Sequence, residues 1–84
     1  MADFKVGVVT HYFDKIGVAI ISLTGDLANG ERIKFERGGE TLFEQNVDSL
    51  QVEHNKIESA KKGDEVGLKV NEPVKEGADV FKIS

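Results

Sequence analysis

Frequent glycine in a short chain is the feature that most limits how this protein can fold. Nine of its 84 residues are glycine, and each glycine inside a helix would cost about 1 kcal/mol relative to alanine. The segments between the glycines are short, and most of them alternate apolar with polar residues, which is the period of a β-strand. We therefore expect an all-β fold.

Alternating segments recur along the chain, and residues that favour turns separate them. The first two segments predict a hairpin whose loop spans residues 13–17. Residues 57–62 are typical of a helical turn or a tight loop that ends at Gly63. The clear strand predictions are residues 4–12, 17–23, 32–36, 65–70 and 80–83.

Residues 41–55 are ambiguous, because Phe43, Val47 and Leu50 follow the spacing of one helix face. A strand is the competing interpretation, and it needs one β-bulge near residues 48–49, since Leu50 and Val52 break the parity of the earlier apolar residues. We favour the strand, because the polar residues in this segment suit a helix poorly.

Six short strands predict one small antiparallel or mixed barrel that occupies residues 1–84 as a single domain. A chain of this length buries only about 60% of its unfolded surface, so one core is expected. The alternation places in that core Val6, Val8, Ile20, Ile33, Phe35, Val47, Val66, Leu68 and Phe81.

Composition limits the classes of function. Eleven basic residues against fifteen acidic ones give a net charge of -4, which on average repels a phosphate backbone. The chain has no cysteine, so disulfides and thiolate metal sites are excluded. No apolar run approaches the roughly 20 residues of a membrane span, and we expect a cytoplasmic protein without membrane partners.

Three segments carry a resemblance to a known family: VGVVTHYFDKIGVAIISL, GDLANGERIKF, and AKKGDEVGLKV with EGADVFKI. Their order resembles the second, barrel domain of elongation factor Tu and related translational GTPases. It is also similar to free-standing translation elongation factor-like proteins and to the C-terminal barrel of collagenase-like peptidase relatives. The resemblance implies a binding barrel related to translation or RNA.

The chain lacks the motifs of catalysis. No segment fits the phosphate loop GxxxxGK[ST], so we expect no nucleotide binding by this chain alone. His11 and His54 with Glu53 would make a two-histidine, one-carboxylate metal site only if they folded together, and separate surface residues are the simpler interpretation. We expect no enzyme activity, no metal and no cofactor.

The opening hairpin loop is the best candidate for a contact surface. It places Tyr12 and Phe13 beside Lys15, and aromatic side chains next to a cation can stack on unpaired bases or anchor a protein partner. Arg32 and Lys34 form a basic stripe that extends this candidate surface. The structural alternative is that Tyr12, Phe13 and Ile16 only close one end of the core. The loop with Lys56, Lys61 and Lys62 is a weaker candidate, because acidic residues lie among the lysines.

Two functions follow from these observations. The first is a non-catalytic barrel that binds RNA or a ribonucleoprotein. The second is a protein-interaction module that docks onto an enzyme partner such as a collagenase-like peptidase relative. The resemblance to translation factors favours the first function, and the acidity of the chain favours the second.

Overall fold

A computed structural model describes residues 3–53 and 55–83, and within these residues the fold consists of β-strands and turns without a helix. The expected all-β class is confirmed. The strands are β1 (Asp3–Phe13), β2 (Val18–Leu23), β3 (Leu27–Ala28), β4 (Arg32–Arg37), β5 (Glu40–Asn46), β6 (Leu50–Val52), β7 (Asn55–Lys56), β8 (Ser59–Ala60), β9 (Glu65–Lys69) and β10 (Asp79–Ile83).

Eight strands form one sheet in the order β5-β4-β10-β1-β2-β9-β6-β7, and β3 pairs with β8 in a second, two-stranded sheet. The described pairs are antiparallel. β1 and β10, the first and last strands, lie side by side at the middle of the large sheet, with Asp3 opposite Ile83. No helix in the described part of the chain is long and apolar enough to cross a membrane.

The described residues form ten strands where the sequence predicts six. The ambiguous segment is extended over residues 41–46 and 50–52, as expected, but the chain leaves the sheet at residues 47–49 and so divides this segment into β5 and β6. The change of apolar parity therefore comes from a break between two strands and not from a bulge within one. Residues 57–62 contain the short strand β8 and the start of a tight turn, in which the Asp64 amide donates to the Lys61 carbonyl over 2.9 Å.

Six of the nine residues expected in the core are buried, and three are not. Val8, Ile20 and Phe81 are only half-buried, and the prediction that they belong to the core is wrong. The buried side chains at these places are those of Val9, Ile21 and Val80. The expected core residues that are buried are Val6, Ile33, Phe35, Val47, Val66 and Leu68.

The reason for these corrections differs between strands. In β1 the register with its neighbours shifts between Lys5 and Gly7 and again between Val9 and His11, so a strict period of two fails there. In β2 and β10 consecutive residues are apolar, and alternation alone cannot decide which of two neighbours faces inward.

One buried polar side chain ties two parts of the large sheet together. Gln45 in β5 is 3% exposed and is the one polar side chain that the described residues bury. Its amide nitrogen donates to the Lys69 carbonyl over 2.9 Å, and its amide oxygen accepts from the Asn71 backbone over 2.8 Å. β5 has no backbone pairing with the end of β9, and the Gln45 side chain connects the two instead.

Candidate functional site

An apolar groove lies on the outer face of the sheet at the tip of the β1–β2 hairpin. Its volume is about 270 Å³. This is slightly below the range of about 300–1,000 Å³ typical of small-molecule sites, so its size suits one or two side chains of a partner. The lining residues, which together we call the hairpin groove, are Phe13, Ile16, Val18, Ile20, Gln51, Glu53 and Gly67.

The hairpin turn presents two of these apolar side chains to solvent. Gly17 has a φ of 68°, a left-handed conformation that favours glycine. Its amide donates to the Phe13 carbonyl, and its own carbonyl accepts from the Val70 amide, both over 2.8 Å. The turn is therefore fixed at both sides, while Phe13 stays 43% and Ile16 62% exposed.

A chain of contacts holds the Phe13 ring at the groove edge. The His11 ring meets it edge-on, with ring centroids 4.4 Å apart. Glu76 Oε2 in turn lies 3.0 Å from His11 Nδ1. These side chains are exposed, so the contacts orient the ring more than they stabilise the fold.

The floor of the groove consists of the outer face of β2 and a glycine of β9. Val18 and Ile20 point outward and are half-buried, while Ala19 and Ile21 point into the core. Gly67 lies opposite Ile20 in β9. A methyl group at Gly67 would contact Val18 at 3.5 Å and Ile20 at 3.6 Å, which is ordinary packing, so the glycine leaves open a space that a small side chain would fill.

Glu53 is the one charged residue among those that line the groove. It follows β6 directly and has a φ of 50°. No other non-glycine residue among the described ones has a positive φ. A residue with a Cβ in this conformation costs about 1–2 kcal/mol. The connection from Val52 to Asn55 has only two residues, a length that favours positive φ.

The structure separates the residues that the sequence proposed as one contact surface. Tyr12 is half-buried and packs against the core, whereas Phe13 and Lys15 are exposed at the hairpin tip. Lys34 lies opposite Phe81, and Phe81 lies opposite Lys5 of β1. Because Lys5 precedes Phe13 by eight residues, the basic stripe is displaced from the hairpin tip by about 26 Å along β1.

Both basic residues of that stripe already have partners. Arg32 lies 3.3 Å from Glu44 and 3.1 Å from Asn46. Lys34 lies 2.8 Å from Glu36 and 5.6 Å from the centre of the Phe81 ring. A contact of this surface with a ligand stays a prediction, but a phosphate would have to compete with these acidic neighbours.

Other candidate sites lie elsewhere on the molecule. A second, larger groove of about 440 Å³ lies between the β4–β5 hairpin and residues 72–75, and its lining includes Arg37, Glu40 and Leu42. His54 of the proposed two-histidine site lies outside the described residues, and no group of three potential metal ligands occurs among the described ones. In the lysine loop, the backbone amides of Lys61 and Lys62 donate to Asp64 and Asp26.

The sequence predicted that Phe13 and Ile16 of the hairpin groove are contact candidates. It did not predict the floor of the groove, on the outer face of β2 and β9, or the position of Glu53 in its lining. It assigned Ile20 to the core and gave no site role to Val18, Gln51 or Gly67. One feature of the sequence did indicate an apolar outer face on β2. Val18 to Ile21 is apolar at every position, a pattern typical of a strand that is covered on both faces.

Comparison with known proteins relates this chain to parts of larger proteins. No family model matches it. It is 38% identical over 77 residues to an uncharacterized protease of Methanocaldococcus jannaschii. The match covers 92% of this chain but 19% of the protease, so the chain spans about a fifth of that relative's length.

Two crystal structures show the same fold. They contain the C-terminal domain of a "putative U32 peptidase" from Geobacillus thermoleovorans, one as a selenomethionine variant. The unmodified domain superposes with a TM-score of 0.86 over 98% of this chain and 93% of that domain, and the variant with 0.83 over 90% and 95%. Sequence identity is 22% in both, so these matches establish the fold alone.

Proposed function

We propose that this chain is a non-catalytic docking module that associates with a peptidase-like protein. The observation that carries the proposal is the 38% identity over 77 residues to one part of a much longer protease. Its fold, moreover, is that of a C-terminal domain in another peptidase-type protein. Domains of one chain contact each other through surfaces that resemble protein–protein interfaces, so we infer that this module keeps such a surface.

A role in translation or RNA binding receives no support from these relatives. The ion pairs of Arg32 and Lys34 and the net charge of -4 also disfavour phosphate contacts. The similarity to collagenase-like peptidase relatives is supported, and the similarity to elongation factor Tu is not. Of the two functions that the sequence suggested, we therefore retain protein docking.

We further propose that the large sheet closes into a small barrel. Gln45 supports this closure, because its side chain connects β5, at one end of the strand order, with the end of β9 near the other. Closure removes exposed strand edges and leaves the outer face of the sheet as the docking surface.

A chimera tests the docking function. In the Methanocaldococcus jannaschii protease, the matching 77-residue segment is replaced by this chain, and a site for a sequence-specific protease is placed at each junction with the rest of the protease. The purified chimera is cut and passed over a size-exclusion column at micromolar concentration. We expect this chain to elute together with the rest of the protease, because docking requires an interface that holds without the covalent link.

Separation of this chain from the rest of the protease, with both still folded by circular dichroism, would contradict the proposal. If the chimera does not fold, the natural protease is cut at the same junctions, and this chain is added in labelled form as a competitor. Displacement of the natural segment supports docking. Failure of the chain to displace that segment when it is added in large excess contradicts it.

A further inference from the structure

We propose that Asn29 and Gly30 form a deamidation site that the folded domain keeps unreactive. Asn29 is converted to aspartate or isoaspartate only in chains that have opened around this turn, and the reacted chains refold to a less stable domain. This property of the turn is independent of the docking function.

The sequence supplies the reactive pair. Of the four asparagines in the chain, at positions 29, 46, 55 and 71, only Asn29 precedes a glycine. Deamidation begins when the amide nitrogen of the following residue loses its proton to base and attacks the asparagine Cγ. Glycine hinders this attack least, because it has no side chain. Asn29 and Gly30 are both exposed, so burial does not keep water and base away from them.

The reaction consumes water and no other reagent. The Gly30 nitrogen forms a bond to Asn29 Cγ, and the bond from Cγ to Nδ2 breaks. Nδ2 keeps the bonding electron pair, takes a proton from water and leaves as ammonia. The cyclic succinimide that remains is then opened by water at either of its carbonyls. One opening gives aspartate, and the other gives isoaspartate, whose backbone has one additional carbon.

The turn withholds the attacking nitrogen. Gly30 has a φ of 93°, and the Glu31 amide donates to the Ala28 carbonyl over 3.3 Å, as in a turn with glycine at its third position. The Gly30 amide itself donates to the Val47 carbonyl over 2.7 Å, and Val47 is buried. A backbone amide in such a hydrogen bond exchanges its proton with solvent only after local opening. The same opening is needed before Gly30 can attack.

Asn29 is held by the chain segment that precedes β8. Its backbone amide donates to the Glu58 carbonyl over 2.8 Å, and its Nδ2 donates to the Ile57 carbonyl over 3.2 Å. This segment is fixed in turn, because β8 pairs with β3 directly before the turn. A rotation that brings Cγ to the Gly30 nitrogen would cost the hydrogen bond to Ile57.

The Glu31 side chain closes the turn from the other side. Its Oε1 accepts from the Ala28 amide over 2.7 Å, and its Oε2 lies 2.9 Å from Lys82 Nζ. Lys82 belongs to β10, which lies inside the large sheet. Opening of the turn therefore breaks contacts with β10 as well as with Val47.

A comparison of folded and unfolded protein tests the inference. The 84-residue protein is incubated at mildly alkaline pH, with one sample in buffer and the other in enough guanidinium chloride to unfold it. Mass spectrometry of the peptide that contains Asn29 follows the change from amide to acid. We expect the folded sample to react at least about tenfold more slowly, because the reaction waits for opening. A smaller difference would overturn the inference.

Two matched variants test whether this turn sets the rate in the folded protein. Glu31→Ala removes the acceptor of the Ala28 amide, so we expect deamidation and hydrogen exchange of the Gly30 amide to become about two- to tenfold faster. Glu58→Ala removes an exposed side chain and keeps the carbonyl that Asn29 uses, so both rates should stay unchanged. Equal rates in the two folded variants would overturn the inference. If circular dichroism shows that Glu31→Ala is unfolded, Lys82→Gln, which removes only the ion pair, replaces it.

The stability of the reacted protein tests the second part of the proposal. Protein from the unfolded sample is refolded, the reacted form is separated by its additional negative charge, and the guanidinium midpoints of the two forms are compared. Isoaspartate lengthens the backbone between the amides that donate to Glu58 and Val47, and an aspartate carboxylate cannot donate to the Ile57 carbonyl. We expect a lower midpoint for the reacted form. Equal midpoints would overturn this part of the proposal.

Discussion

At the scale of single residues, Gln45 shows how one side chain can substitute for backbone pairing. It occupies a position where alternation calls for an apolar residue, between the buried side chains of Phe43 and Val47. Its amide nitrogen donates to the Lys69 carbonyl, and its amide oxygen accepts from the Asn71 backbone amide. Buried polar groups with complete hydrogen bonding specify a unique arrangement, and they are costly to disturb.

We expect Gln45→Glu to lower the free energy of unfolding by about 2–4 kcal/mol at neutral pH, because the carboxylate cannot donate to the Lys69 carbonyl and places a charge in a buried site. Urea unfolding followed by circular dichroism measures the effect. The matched control is Glu44→Gln on the exposed side of β5, for which we expect a change within about 0.5 kcal/mol. Equal effects of the two variants would show that the Gln45 hydrogen bonds contribute nothing specific.

For a substitution of Glu53 we expect no such loss of stability. Replacement of Glu53 by glycine relieves the left-handed backbone strain, so we expect Glu53→Gly to keep or raise stability, by up to about 1 kcal/mol. Thermal unfolding of the variant and the parent protein measures the effect. A clear loss of stability would show that the Glu53 side chain supports the fold.

At the scale of elements, β1 is irregular because it has to accommodate close neighbours. Gly7 lies where the register of β1 with β10 shifts. A methyl group there would come within 2.6 Å of the Ile21 side chain and 2.9 Å of the Ser22 carbonyl. The carbonyl belongs to the backbone of β2, so the strand itself would have to move.

A matched pair of glycine substitutions tests this geometry. We expect Gly7→Ala to destabilise the protein by about 1–3 kcal/mol, since overpacking forces a backbone shift. Gly67→Ala should be tolerated within about 0.5 kcal/mol, because its methyl group would have ordinary contacts of 3.5 Å and more. Urea unfolding of both variants provides the comparison. A tolerated Gly7→Ala would mean that β1 has more freedom than its contacts indicate.

The irregularity of β1 also marks the limit of prediction from this sequence. The hairpin, the strand at residues 32–37 and the extended character of residues 41–46 were predictable, because turn residues and alternation agree there. The core parity of Val8 was not predictable, since Val8 and Val9 are both apolar and alternation does not show where the register of β1 shifts. The groove floor was missed for a different reason: alternation does not show which apolar residue of β2 faces outward.

At the scale of the whole molecule, the two ends of the described chain lie together. Asp3 is paired with Ile83 across β1 and β10, and paired residues in adjacent strands are about 5 Å apart. The Gly38-Gly39 turn lies at the exposed tip of the β4–β5 hairpin, where both glycines have open space around them.

We therefore expect a circular permutant to fold. A short flexible linker joins the present ends, and new ends are opened between Gly38 and Gly39, where few contacts are lost. Its far-ultraviolet circular dichroism should match the parent, because the strand pairing of the sheet is untouched. A permutant that is unfolded would show that the β4–β5 connection is needed for the sheet to form.

The position of β10 has a consequence for synthesis of the protein. β10 lies between β4 and β1, so the sheet keeps two unsatisfied edges until this strand arrives. At a ribosomal rate of about 5–20 residues per second, β10 follows β4 after a delay of seconds. During that interval the nascent chain exposes edges to which other chains can add. A chaperone that covers strand edges would protect the domain during this interval.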